Sequence, residues 1–377
     1  MIHKDFQDLK LSALGMGCMR LPRNSGDDGD VNVAETQRMV DYAMAHGVNY
    51  YDTAWGYHNG NSETVIGQAL RKYPRESYYL ATKFPGYDLA NMPKVREIFP
   101  KQLEKCGVDY FDFYLFHNVC EMNIDAYLDP KYGIYDYLME QKKNGRIRHL
   151  GFSFHDSAKV LDRVLTEHPE VEFVQLQLNY LDWESPSVQS RLCYETAVRH
   201  GKKVVVMEPV KGGKLAAPSP EVAQLFRSYA PDASLPSWAI RFAASLDLVM
   251  VVLSGMSSLE QVEDNTGYMA NFTPLTAEEQ ALTQRAAQLI RGDGTVPCTA
   301  CSYCTEGCPQ RIPIPTVLAL YNGSILAPGE KDYRGEYRSL PVNAGACVYC
   351  GQCRRACPQH IDVISALKDA HAVLGED

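Results

Sequence analysis

No stretch of the 377 residues approaches the roughly 20 consecutive apolar residues that a membrane span needs. The opening MIHKDFQDLKLS has no apolar core of signal-peptide length. Positive charge is scarce: 37 Lys and Arg face 46 Asp and Glu, a formal net charge of −9. That balance argues against a basic surface for nucleic acid. No GxGxxG fingerprint for a flavin or a dinucleotide occurs. What is there is 45% apolar and 22% charged, the composition of a globular protein. These features predict a cytoplasmic protein with neither a membrane nor a nucleic-acid partner. The length suits one large α/β barrel of roughly 250 residues plus a smaller module.

The stretch VNYYDTAWGYHNGNSE, residues 48–63, organises the chain. It begins as a strand rich in β-formers at Val48, Tyr50 and Tyr51. It leaves through a Gly/Asn-rich loop to a helix start at Ser62 and Glu63. A carboxylate, Asp52, and a phenol, Tyr57, stand at the strand exit. A phenol with a pKa of about 10 donates a proton near neutrality if a buried cation lowers that pKa. The strand YYLATK ends in Lys83, and FDFYLFH ends in His117. Four polar residues at the C-terminal ends of strands are what a barrel active site needs.

Strand and helix patterns alternate throughout. LSALGMGCMRLP reads as the first barrel strand and its exit, with Gly15 and Gly17 allowing close backbone approach. Val33, Thr36, Val40, Ala43 and Met44 share one face of the helix that follows. RHLGFSFH, FVQLQLNY, KKVVVMEPV and LVMVVLSG complete eight strands, and Asp156 is placed to cap a helix. Eight such alternations imply right-handed βαβ units closing into a parallel barrel. In FVQLQLNY three amides, Gln175, Gln177 and Asn179, recur at period two. They suit either a hydrogen-bonded polar layer or a binding surface.

Asp52, Tyr57, Lys83 and His117, in the contexts DTAWGY, ATKF and YLFHN, resemble the catalytic tetrad of the aldo-keto reductases. The resemblance covers about residues 8 to 272. It implies an α/β fold, a (β/α)8 TIM barrel, and hydride transfer from NADP(H) or NAD(H) to an aldehyde or ketone. Tyr57 would supply the proton, Lys83 would lower its pKa, Asp52 would orient Lys83, and His117 would bond the carbonyl oxygen.

The resemblance also places the cofactor. Met19, Arg20 and Asp52 would meet it near the first strands. Ser153 and Gln175 would hold the nicotinamide carboxamide, an amide being suited to read an amide. Met207 stands where many relatives place a stacking aromatic. Pro209, Lys211 and Gly212 belong to the loop EPVKGGKL, which would cover the pyrophosphate. Ser254, Gly255, Met256, Gln261, Asp264 and Asn265 match adenosine-phosphate and adenine positions. They precede or lie on a helix opening at Ser257 or Ser258, whose N-terminus is an anion site. Gln261 replaces the arginine that many relatives use for a 2′-phosphate, and neutral Gln cannot make that charged fork.

Twelve cysteines in a chain with no signal-like segment point to metal ligation rather than disulfides. TPLTAEEQ carries the capping box of Thr276 and Glu279, and a linker follows. Then come Cys298, Cys301, Cys304 and Cys308-Pro309, and 49 residues on Cys347, Cys350, Cys353 and Cys357-Pro358. Both runs have the bacterial ferredoxin spacing, which predicts two [4Fe–4S] clusters with the last cysteine of each run ligating the other cluster. Zinc, the competing reading, gives no reason for the third cysteine or the Pro. Cys18, Cys106, Cys120 and Cys193 read as plain buried thiols.

The expected organisation is a barrel over residues 1–275, a capping helix and linker over 276–297, and a small helical ferredoxin-like domain over 298–377. The expected function is NAD(P)H-dependent reduction of a small carbonyl substrate. A hydride carries two electrons and a cluster takes one, so the clusters would serve structure, a redox partner protein or a flavin that no motif announces. They would not be required for the reduction itself. The alternative is a low-turnover cofactor-sensing or docking module in an electron-transfer assembly, which Met207 and Gln261 favour.

Overall fold

The computed structural model describes residues 1–375. Strands β1 (His3–Phe6) and β2 (Leu9–Ser12) form an antiparallel hairpin. Eight parallel strands then close a barrel. They are β3 (Leu14–Gly17), β4 (Tyr50–Asp52), β5 (Tyr79–Phe84), β6 (Phe111–Val119), β7 (Ile147–Phe154), β8 (Phe173–Gln177), β9 (Lys203–Met207) and β10 (Val249–Ser254). They neighbour one another in chain order, and β10 returns to β3. The expected first strand is therefore split: its start belongs to the hairpin and only Leu14–Gly17 enters the barrel.

The hairpin's Phe6 is buried with Phe113, Phe173, Val205 and Met250 inside the barrel. Its ring lies 5.7 Å from that of Phe113 and 6.3 Å from that of Phe173. Aromatic volume thus fills the interior, and the other end stays free for polar residues. Gly15 is required by that filling. A Cβ there would stand 2.7 Å from Val251 Cγ1 and 2.9 Å from Leu253 Cδ2.

Two local readings are corrected. In the helix Val33–Ala45 the buried face is Thr36, Met39, Val40 and Ala43, and Val33 is exposed at the first turn. Asp156 does not cap the helix Ala158–Glu167, whose cap is Ser157. One Asp156 oxygen instead accepts from Glu121 N at 2.8 Å and ties two loops together.

The capping box of Thr276 and Glu279 opens the helix Ala277–Arg291. This helix buries Ala286, Ala287 and Ile290 against Trp238, Phe226 and Leu215. Residues 298–375 build a second core from the helices Ile314–Leu326, Tyr333–Arg338 and Val363–Leu374. The internal repeat survives folding. Short helices start at Tyr303 and Gln352, and long ones at Ile314 and Val363, both pairs 49 positions apart. Among the described residues no helix is long and apolar enough to cross a membrane.

Candidate active site

Parallel closure brings the exits of all eight strands to one rim. β4 delivers Asp52, β5 Lys83 and β6 His117. Lys83 is 1% exposed, and its Nζ donates to Asp52 Oδ1 at 2.6 Å and to Thr53 O at 2.8 Å. Tyr57 opens the 3-10 turn Tyr57–Gly60, five residues past Asp52. Its ring centre is 5.1 Å from Lys83 Nζ and 6.0 Å from the His117 ring, edge to face. Gln102, which sequence reasoning passed over, donates to Lys83 O at 3.0 Å and to Glu63 Oε1 at 2.6 Å, and so secures β5 from behind.

The electrostatics correct one expectation. Burial raises the Tyr57 pKa well above 10, and the Asp52 charge pushes the same way. The net shift is therefore upward rather than downward, with the Lys83 ammonium held 2.6 Å from Asp52. Burial also raises the Asp52 pKa, while the Lys83 charge pulls it down. His117 is held well below 6.5 by burial, with the Lys83 charge adding to the effect. The site therefore offers a protonated phenol and a neutral imidazole, both hydrogen-bond donors near neutral pH.

These groups line a cavity of about 420 Å³. Met19, Arg20, Ser153, Gln175, Met207 and Pro209 share its wall with the tetrad. Gly212, Ser254, Gly255, Met256, Gln261, Asp264 and Asn265 line it too. The helix expected at Ser257 or Ser258 runs over Leu259–Ala270 with Ser258 as its cap. Gln261 Oε1 accepts from Ser257 N at 2.7 Å, and Asn265 Nδ2 donates to Ser254 Oγ at 2.9 Å.

Lys211 is the exception among the expected contacts. It is 2% exposed, and its Nζ donates to Asp182 Oδ1 at 2.8 Å and Oδ2 at 2.7 Å, and to Gln359 Oε1. A buried ammonium needs a charged partner, and Asp182 supplies it. Gln177 and Asn179 also donate to Asp182 Oδ2, at 2.7 and 2.9 Å, so those two amides form a structural polar network. Gly212 serves packing as well. It has φ +63°, a Cβ on it would meet Thr299 Cα at 2.6 Å, and its N–H donates to Glu208 Oε2 at 2.8 Å.

Barrel and C-terminal module are not spatially separate. Cys301, Tyr303, Pro358 and Gln359 stand in the same cavity wall. Arg20 donates from Nη2 to Thr299 O across the junction. Tyr303 Oη lies 3.3 Å from His117 Nε2. Sequence reasoning singled out neither Tyr303 nor Gln359, although both lie within two residues of a ferredoxin-run cysteine.

The eight cysteines of the two runs gather around two small voids. One is walled by Cys298, Cys301, Cys304 and Cys357, the other by Cys347, Cys350, Cys353 and Cys308. Each void thus takes three sulfurs from one run and the fourth from the other. That crossed set of four thiols fits a [4Fe–4S] cubane in each void. Among the described residues Cys18, Cys106, Cys120 and Cys193 are buried free thiols.

Comparison with known proteins finds a family for each part of the chain. Residues 13–287 match the aldo/keto reductase family, and residues 297–361 match the 4Fe-4S dicluster domain. The chain is 24% identical over 330 residues to the NADH-specific methylglyoxal reductase of Escherichia coli, covering 75% of this chain and 97% of that one. It is 25% identical to the L-galactose dehydrogenase of Arabidopsis thaliana, over 74% of this chain and 91% of that one. The holo form of aldo-keto reductase AKR11C1 from Bacillus halodurans superposes with a TM-score of 0.60 at 28% identity, over 76% of this chain and 96% of that one. The chain belongs to the aldo/keto reductase family, as an NAD(P)H-dependent oxidoreductase barrel joined to a 4Fe-4S dicluster domain.

Proposed function

We propose that the barrel reduces the carbonyl group of a small aldehyde or ketone, with Tyr57 as the proton donor. The observation that supports this is the convergence of Asp52, Tyr57, Lys83 and His117 on one cavity. A nicotinamide cofactor, NADH or NADPH, supplies the hydride when bound. Gln175 Oε1 is a buried acceptor with no partner among the described residues, and it fits a carboxamide N–H beside Ser153. Tyr57 gives its hydroxyl proton to the carbonyl oxygen as negative charge develops there. His117, neutral, donates from Nε2 to the same oxygen and orients the substrate. Lys83 places positive charge beside the phenol ring, and Asp52 holds it there.

In this reading the eight ligand cysteines hold two [4Fe–4S] clusters, which exchange single electrons when bound. The module also roofs the cavity, so the clusters support the shape of the reduction site. Neither family match calls for a flavin.

Steady-state oxidation of NADH and NADPH against a panel of aldehydes and ketones tests the proposal. Tyr57→Phe keeps the ring and removes the donor, so kcat should fall about 10²–10⁴-fold with cofactor affinity kept. Turnover that is absent, or indifferent to Tyr57, would favour the alternative of a cofactor-sensing module.

A further inference from the structure

Tyr303 sits between Cys301 and Cys304 of the first ferredoxin run, yet its side chain lies in the barrel mouth. The backbone turns it there. Ser302, just before it, has φ +67°, the left-handed region that non-glycine residues seldom occupy. The Tyr303 ring lies 5.4 Å from that of Tyr87 and 6.3 Å from that of His117. Among the described residues its hydroxyl has one hydrogen-bond partner, His117 Nε2 at 3.3 Å.

That partner is the atom which, in the reduction reading above, donates to the substrate carbonyl. A neutral imidazole has one N–H, so His117 Nε2 cannot serve both oxygens at once. When a carbonyl oxygen takes it, the Tyr303 hydroxyl, half-buried in the cavity wall, loses that partner. A half-buried hydroxyl that loses its partner is destabilised, and a substrate oxygen that restores the bond is favoured. The substrate oxygen able to do so must lie beside the carbonyl that displaced it.

We infer that Tyr303 is a specificity-determining residue, and that the site selects carbonyl compounds with an oxygen on the neighbouring carbon, as in α-hydroxy or α-oxo aldehydes and ketones. The iron–sulfur module thereby supplies part of the substrate pocket. The inference rests on the carbonyl-reduction reading for its chemistry. Its geometry belongs to Tyr303 and His117 alone.

The test uses the full-length protein and two matched pairs of small molecules. With NADH or NADPH, wild type should show a higher kcat/KM for 2-hydroxypropanal than for propanal, by about tenfold or more. Tyr303→Phe keeps the ring and every cysteine, and should reduce that ratio about tenfold. The non-reducible amides lactamide and propanamide give a readout free of turnover. Ligand-observed NMR should find lactamide bound more tightly by wild type, and the difference lost in Tyr303→Phe. A wild type with no preference within either pair, or a preference that Tyr303→Phe leaves intact, overturns the inference. Amide discrimination that depends on Tyr303, in a protein that reduces neither aldehyde, would sustain it and count against the reduction reading instead.

Discussion

Gln177 and Gln359 exchange two hydrogen bonds, at 2.8 and 3.0 Å, across the junction of barrel and module. Both amides are buried, and Lys211 donates to the same Gln359 oxygen. Gln359 lies two residues past Cys357, so the first cluster void is tied to β8 and to the loop after β9. The module is docked by paired amides as well as by apolar contact.

Gln359→Leu should loosen that docking. It leaves Gln177 Oε1, one Gln177 N–H and one Lys211 proton unpaired, at a cost of about 1–3 kcal/mol for each buried group. Denaturant melts should register the loss. Limited proteolysis should cut the 292–297 linker faster than in wild type. Unchanged melts and unchanged cleavage would mean that water replaces the amide pair without cost.

The pH dependence of kcat/KM follows from the two shifted groups. An acid catalyst works while protonated, and the Tyr57 pKa is raised, so activity extends to higher pH than an ordinary phenol permits. His117 stays neutral to lower pH than an ordinary imidazole, because burial and the Lys83 charge lower its pKa, so it adds no acid limb at the ordinary imidazole pH. The profile should lack limbs from either group between about 6.5 and 10, their ordinary values. An acid limb near 6.5 that disappears in His117→Gln would show that the imidazole charges in the free enzyme.

Cofactor choice should be weakly biased. Gln261 accepts from Ser257 N and carries no charge, so preference between NADH and NADPH should stay under about tenfold. Gln261→Arg should move it towards NADPH. A hundredfold NADPH preference in wild type would require another cation. Arg20 in the cavity wall would then be the residue to test, since Lys211 is held by Asp182.

The crossed voids make separable demands on the two proline-preceding cysteines. Cys308→Ala should damage the cluster bounded by Cys347, Cys350 and Cys353, and Cys357→Ala the one bounded by Cys298, Cys301 and Cys304. Iron should fall from about eight to about four atoms per chain in each variant. Cys357→Ala alone should also disturb Tyr303 and Gln359, which border its void or the cavity beside it. Equal effects of both variants on substrate binding would contradict that asymmetry.

Much of the site was legible because its signals are local. Asp52, Lys83 and His117 announce themselves as polar ends of apolar strands, and Tyr57 lies on the turn after one of them. The cysteine spacing states its own chemistry, including the crossed fourth ligand. Lys211 was misplaced because its charge answers to Asp182, 29 positions away, rather than to its glycine-rich neighbours. The direction of the Tyr57 shift was also out of reach, since it depends on burial and on the Asp52 charge nearby.

The sequence by itself determined a barrel with its polar groups on one rim, because parallel closure sends every strand exit to the same end. It also determined two four-cysteine sets, because ferredoxin spacing allows three ligands to fold around one cluster and sends the fourth away. Only the tertiary structure decided that the module lies over the barrel mouth. Tyr303 meets His117 across 186 positions and Gln359 meets Gln177 across 182. No periodicity or propensity encodes such contacts; they arise where two separately folded surfaces satisfy each other's buried polar groups.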